Sequence, residues 1–568
     1  DFLLEAGIIL ILANQLTNAL KGQCKAHKIF SRIILRSNLE EDWTSHDDFL
    51  SCLVEADMKA KRRYFFPNHD GGKALPKSLR KIIDENVARY DLPELDELDN
   101  LHQPEKSLKF SQEMASYLYG SSKSFYLVNG STGGILIAMY ALRTIFQRKF
   151  RISHTPCRFL IARTAHKSVF DGLKLLDCES ILLPVYVEPD FNVPFNIDDD
   201  LLHQTLSANK EKICGVVFTR PTYQGVYNGK AALASQIEIC HLHGVPVLVD
   251  EAHGAHLRFV DGQDAVSCGA DLVVQSSHKG LMALSQTGLL HIGKDLHRVV
   301  NLPVKEIERI IQDSFSSFTT TSPNSLLLAS LHASIKYFAE GGGLQIRQDV
   351  EYITELKDRL DFNPFTRLLD RSPAISRDRL FVDPFKLNVQ FRDPFSTKIV
   401  DGVMVDDYLC EEYGIFCELN FPTCLTFVLP QNSKAAVSFL FTQLSNLQAQ
   451  RFLQGKNSFA EDVMSTGFQS ISFKKAESQL LHSSKTTVYL DYEDAELKQK
   501  LLGKVSAETI LIYPPGVPFI IRGEEVTEVH YNSLRRFQSM LKLNQLPTGC
   551  YLQGNSDESL LQLEIFSE

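Results

Sequence analysis

The chain has 568 residues, 44% hydrophobic and 23% charged, with 69 acidic against 59 basic side chains and a formal net charge of −10. That length allows about three or four domains, and the composition is that of a globular protein with a sizeable core, not a disordered or fibrous one. An acidic excess argues against a nucleic-acid binder, and the uninterrupted apolar run near the start, Ala6–Ala13, is far short of the roughly 20 residues that cross a bilayer.

Residues 1–63 read as a helical segment, in which Lys21, Lys25, Lys28, Arg32 and Arg36 recur three or four apart as a solvated stripe. The loop Phe66-Pro67-Asn68-His69-Asp70-Gly71-Gly72 breaks that pattern. Residues 64–345 form the expected large domain, where short apolar runs alternate with helical stretches. Phe125–Val128, Arg158–Ala162, Ser180–Val185, Cys214–Thr219, Pro246–Val249, Leu272–Gln275 and Gly288–Ile292 read as buried strands. The alternation predicts an α/β fold with a mainly parallel seven-stranded sheet, whose ligands bind beyond the carboxyl ends of the strands.

Four segments that follow these strands carry chemistry. The first, Asn129-Gly130-Ser131-Thr132-Gly133-Gly134, precedes a helix over Ile135–Phe146, and its glycines, hydroxyls and helix start suit a phosphate. It is neither a dinucleotide fingerprint nor a P-loop. The second, Arg163-Thr164-Ala165-His166-Lys167-Ser168, offers an imidazole that could stack on a ring. The third, Asp250-Glu251-Ala252-His253-Gly254-Ala255-His256, ends an apolar strand in two carboxylates and two histidines, which on its own also admits a metal site. The fourth, Gln275-Ser276-Ser277-His278-Lys279-Gly280, places a lysine before an apolar run, where it can lose its proton and act as an amine nucleophile. An aspartate and a lysine at two strand ends are the pair that pyridoxal phosphate needs: the lysine holds its aldehyde, the carboxylate keeps its ring nitrogen protonated.

Downstream, 346–455 reads as a small α+β domain with strands at Lys386–Phe391 and Thr426–Leu429, and 456–568 as a C-terminal domain containing Tyr513–Pro518. Eleven cysteines spread from Cys24 to Cys550 without a CxxC pair. Cys410, Cys417 and Cys424 recur every seven residues, but no histidine cluster completes a zinc pattern. Reduced thiols point to the cytoplasm, with an organelle such as a plastid as the alternative.

In this order, the four segments resemble those of the Orn/Lys/Arg decarboxylases within the aspartate aminotransferase-like (fold-type-I) pyridoxal enzymes. Asp99-Asn100-Leu101-His102, Thr219–Gly225, Ser276–His291, Thr319–Ser330 and Tyr513–Pro518 with Gly523-Glu524 extend the likeness. The resemblance implies that Lys279 binds the cofactor aldehyde, that Asp250 pairs with the ring nitrogen, and that His166 and Ala252 lie on the two ring faces. It implies that Gly130, Ser131, Thr132, Ser276 and His278 surround the phosphate, and that His253 or Lys279 returns the proton to Cα. It further implies a homodimer, no metal, a basic amino acid substrate and an amine product of polyamine-related metabolism, with Glu524 as a candidate for the substrate's distal cation. The family has Pro-Gly-His-Lys-Gly-Gly where this chain has Pro67-Asn68-His69-Asp70-Gly71-Gly72, which bears on substrate choice or packing. The 63 residues before the large domain are too few for the receiver-like domain of some members, as in a shorter form. Two other readings stay open: a different pyridoxal reaction such as transamination, and a silent relative that works by binding partner subunits.

Overall fold

Seven apolar runs become the strands of one sheet: β1 (Lys123–Leu127), β2 (Arg158–Ala162), β3 (Glu179–Leu183), β4 (Ile213–Thr219), β5 (Val247–Asp250), β6 (Leu272–Gln275) and β7 (Gly288–Ile292). The computed structural model describes residues 48–448, apart from 153–156, 192, 210–211, 376–379, 397 and 422, and beyond them 452, 485–489, 496–513, 518–528, 530–532, 534–535, 538, 551–553 and 562–566. The expected helices of residues 1–47, with the stripe from Lys21 to Arg36, and the centre of the Tyr513–Pro518 motif lie outside the described residues.

The strand order is β1-β7-β6-β5-β4-β2-β3, and β7 alone of the seven runs antiparallel to its neighbours. Side chains alternate between two cores. Phe159, Ile161, Leu248 and Val274 enter one, whereas Leu160, Val247, Val249 and Val273 enter the other. A strand with both faces apolar needs helices on both sides, and this period of two supplies them with a core each. The expected strand Ser180–Val185 stops at Leu183 because Pro184 has no N–H to continue the ladder.

Helix α1 (Phe49–Lys59) begins at Asp48, whose carboxylate caps the Ser51 N–H. Helix α2 (Gly130–Phe150) starts five residues before the expected Ile135, so the glycine-rich stretch is its first turn rather than a loop ahead of it. The reason is packing: a Cβ on Gly134 would lie 2.6 Å from Leu127 Cδ1 and 2.7 Å from Val274 Cγ1. Glycine there lets the helix rest directly on β1 and β6, offsetting its poor helix propensity.

A second sheet, of order β8-β9-β11-β10, is antiparallel: β8 (Thr366–Leu368), β9 (Lys386–Phe391), β10 (Leu419–Phe421) and β11 (Cys424–Val428). It stands against the large sheet through a His256 Nε2 to Asp383 Oδ1 hydrogen bond of 2.8 Å, and through Asn388 Nδ2, which donates to Gln224 O at 2.8 Å. Leu497, Leu501, Ile510, Ile520 and Val526 form a separate core in the C-terminal part. Among the described residues, no helix is long and apolar enough to cross a membrane, and nine cysteines are free thiols.

Candidate active site

Because β1 to β6 point the same way, their ends deliver Gly130, His166, Asp250, Ser276 and Lys279 to one edge of the sheet; β7, being reversed, enters at that edge through Thr287. Asp250 is the last residue of β5 and 4% exposed. It accepts a 3.2 Å hydrogen bond from Ala252 N–H, and among the described residues no cation reaches it at ion-pair distance. Burial raises its pKa, while the charges of His166 and Lys279 act in the opposite direction. His166 caps the helix α3 (Lys167–Leu176), its Nδ1 accepting the Ser168 N–H at 3.2 Å. Burial lowers the His166 pKa, Asp250 raises it and Lys279 lowers it, so the three expected residues share one electrostatic field.

Lys279 opens onto the cleft from the short helix Ser277–Gly280. Its Nζ stands 3.1 Å from His253 Nε2. The recess is deep enough that desolvation lowers the lysine pKa, against the pull of Asp250 and Glu418. His253 is pushed far below the ordinary imidazole range, first by burial and then by Lys279 and Lys386. A neutral imidazole beside this lysine can accept a hydrogen bond from its Nζ without adding a second positive charge to the recess.

The residues expected to surround a phosphate come together from two strand ends. Ser276 Oγ donates to Ser131 Oγ at 2.9 Å, and Gly130 N donates to Gln286 O at 2.8 Å. Gly130 has φ +67, and a Cβ there would meet nothing within 4 Å, so the space beside it is open. Thr132 is exposed beside these residues. His278 Nδ1 donates to the Thr287 carbonyl at 2.9 Å, which fixes its tautomer, and burial lowers its pKa.

Sequence reasoning missed a supporting layer. Glu251, with no exposed surface, accepts from Arg220 Nη1 at 2.9 Å, Ala265 N at 2.9 Å and Gln275 Nε2 at 2.8 Å, locking the ends of β4, β5 and β6 together. Burial pushes its pKa up to about 8, against Arg220. It also missed Lys386, Tyr223 and Glu418. The Tyr223 ring packs on His253 with centroids 4.6 Å apart, its hydroxyl donates to Glu418, and Lys386 Nζ stands 5.5 Å from its centre. The available signal was a lysine leading the fully buried strand β9. Glu524 lies at the same side of the sheet, 3.7 Å from Arg163 Nη2, and accepts the Ile521 N–H at 2.9 Å. In the 66–72 loop, His69 accepts the Gly72 N–H at Nδ1 and meets Asp91 Oδ2 at 3.3 Å, while Asp70 adopts φ +47 beside Lys73. Among the described residues, no three His, Cys, Asp or Glu side chains are grouped to hold a metal.

The fold and this edge have counterparts. Residues 48–436 match the Orn/Lys/Arg decarboxylase major domain, and 462–549 match the C-terminal domain of the same family. YaaO of Bacillus subtilis, an uncharacterized protein, is 29% identical over 525 residues, covering 91% of this chain and 98% of its own. The arginine decarboxylase of Bacillus anthracis is 25% identical over 526 residues, covering 91% of this chain and 97% of its own. Two solved lysine decarboxylases share the fold: that of Francisella novicida (TM-score 0.69, 18% identity, 91% and 81% covered) and lysine decarboxylase A of Pseudomonas aeruginosa (TM-score 0.71, 17% identity, 91% and 80% covered). The family match runs through both sheets and every strand end described above, and this chain belongs to the Orn/Lys/Arg decarboxylase family, the amino acid decarboxylases of the pyridoxal type.

Proposed function

We propose that this chain removes CO2 from arginine, lysine or ornithine, yielding agmatine, cadaverine or putrescine for polyamine-related metabolism. One observation carries the reading: the carboxylate of Asp250 is buried at the cleft without a cation at bonding distance among the described residues, facing the same recess as Lys279. A buried carboxylate without a partner is costly, and a protonated ring nitrogen is a cation that would satisfy it. The open space at Gly130 and the paired hydroxyls of Ser131 and Ser276 suit a phosphate by the same reasoning. The residues present therefore fit pyridoxal phosphate.

When bound, pyridoxal phosphate supplies a sink for the electron pair left behind by the departing carboxyl carbon. Asp250 would hold the ring nitrogen's proton, with its orientation set by Ala252 N–H. His166 and Ala252 would bound the two ring faces, and Ser131, Thr132, Ser276 and His278 would hold the phosphate. Burial makes Lys279 a weaker base than a solvated lysine, and His253 Nε2 lies 3.1 Å from its Nζ, within hydrogen-bond reach. One of these two nitrogens would deliver the proton to Cα.

For the substrate's distal cation, Glu418 and Glu524 are the two candidates. Glu418 acts on both Lys279 and Lys386 and stands at the exposed side of the cleft, which favours it. The residue that receives the distal cation should lose at least tenfold in KM on Glu→Gln substitution, about 1.4 kcal/mol. The working form is a homodimer; Tyr64, Phe66 and Ile82, 90%, 81% and 82% exposed, offer it apolar surface.

The test is purified protein with added pyridoxal phosphate. We expect a visible absorbance band that Lys279→Ala loses, and CO2 with the matching amine from one of the three amino acids. A keto acid in place of CO2 would replace this reading with transamination; no band would remove the cofactor from it.

A further inference from the structure

The decarboxylase reading leaves one charged side chain at the cleft without a task. Lys386 begins β9 and is 5% exposed, yet among the described residues its ammonium has no hydrogen-bond or ion-pair partner. Its Nζ lies over the Tyr223 ring, 5.5 Å from the centre, and that ring packs on His253. Its charge is felt by His253 and coupled to Lys279, so it faces the reacting end of the cleft and not the interior of its own domain. Asp383 and Glu418 act on it through space without reaching bonding distance.

A buried ammonium set over an aromatic face is held at a cost, since cation–π contact returns about 0.5–2 kcal/mol and desolvation takes more. An anion entering the cleft would satisfy it. The cofactor phosphate is not that anion, because its proposed hydroxyls and helix start gather at Ser131 and Ser276, just after β1 and β6. The substrate's distal group is not either, because it carries the same sign as the lysine. What remains is the negative group next to the bond that breaks.

We propose that Lys386 is the seat of the substrate's α-carboxylate, a binding residue contributed by the small domain; this rests on the decarboxylase reading above. The amino acid carries that carboxylate and the product amine does not. The carboxyl carbon leaves as neutral CO2 with its bonding electrons left at Cα, and Lys386 is then unpaired again. The site therefore grips substrate and lets product go by the presence or absence of one charge.

The experiment compares amino acid with amine. In Lys279→Ala protein loaded with pyridoxal phosphate, calorimetry measures dissociation constants for L-arginine and agmatine, L-lysine and cadaverine, and L-ornithine and putrescine. For the preferred pair, the amino acid should bind at least tenfold more tightly than the amine. Adding Lys386→Met should bring that ratio to within about threefold, and Lys386→Arg should restore most of it. With Lys279 intact, Lys386→Met should raise KM at least tenfold and move kcat less. Lys386→Gln serves in place of Met if the apolar variant does not fold, as judged by thermal melting. A ratio unchanged by the neutral variants would overturn the assignment and leave the decarboxylase reading standing. Failure of all six compounds to bind the parent protein would remove both.

Discussion

Asp250 carries a proposed role that depends on charge at constant shape, so Asp250→Asn separates the two. The amide keeps the volume and accepts the Ala252 N–H, but it cannot hold a positive ring nitrogen. We expect kcat to fall at least 100-fold, about 2.7 kcal/mol of barrier, with an unchanged or higher melting temperature, because a buried carboxylate is no longer desolvated. A parallel fall in melting temperature and activity would mark Asp250 as structural. His278 makes a related point about pH. Its Nδ1–H is committed to Thr287, so its Nε2 donates to a phosphate only when protonated, and burial opposes that. Affinity for pyridoxal phosphate should therefore begin to fall as pH rises through the acid range, below the ordinary imidazole value, and fall less in His278→Gln. Residues such as Asp250 and Lys279 were legible because each follows an apolar strand. Lys386 and Glu418 were not, since their place at the cleft depends on how a second sheet docks through His256 and Asp383.

The helix α2 carries the next prediction. Its first turn holds the proposed phosphate site, and its distance from the sheet is set by Gly134. Gly134→Ala requires Leu127 and Val274 to yield at contacts of 2.6 and 2.7 Å, which costs about 1–3 kcal/mol for overpacking in a dense core. Lifting the helix start also moves Gly130 and Ser131, so we expect weaker binding of pyridoxal phosphate along with the lower melting temperature. Gly130 itself differs: there is room for a Cβ, and the penalty comes from φ +67. All seven strands of the large sheet could be read from apolar runs bounded by turn residues. The start of α2 could not, because glycine argues against a helix until its contact with the sheet is known, and the end of β3 depended on a single missing N–H at Pro184.

Across the whole molecule, buried histidines make stability depend on pH on the acid side. Burial holds His291 at about 3 and His530 at about 4, against 6.5 unfolded. His291 is satisfied as a neutral ring, its Nε2 with Gln275 Oε1 at 3.1 Å and its Nδ1 with Ser124 Oγ at 2.7 Å. With folded values below the unfolded one, the unfolded chain takes up more protons, so this stability is present above pH 6.5 and is lost as pH falls. Each group costs about 2 kcal/mol between pH 7 and 5. Glu251, raised to about 8, works in the other direction, and so do Asp250, Asp271 and Glu524, whose pKa values burial also raises. Between pH 7 and 5, the melting temperature of His291→Gln should lose less, or gain more, than that of the parent protein, whatever the substitution does to the midpoint; an identical slope would be evidence against the assignment.

Arg163 ties the far end of the chain to this same layer. It stands three residues before His166, is nearly sealed from solvent, and meets Pro518 O at 2.7 Å and Glu524 at 3.7 Å. A protein cut after residue 448 would retain Lys279, Asp250, His166 and the proposed phosphate site, yet it would take Pro518 O and the Glu524 carboxylate away from Arg163, three residues from the histidine proposed to face the ring. The C-terminal part is thereby an electrostatic tie to the layer that carries the proposed ring-facing residue, and a fragment chosen by the four cleft motifs alone would lose that tie while keeping all four.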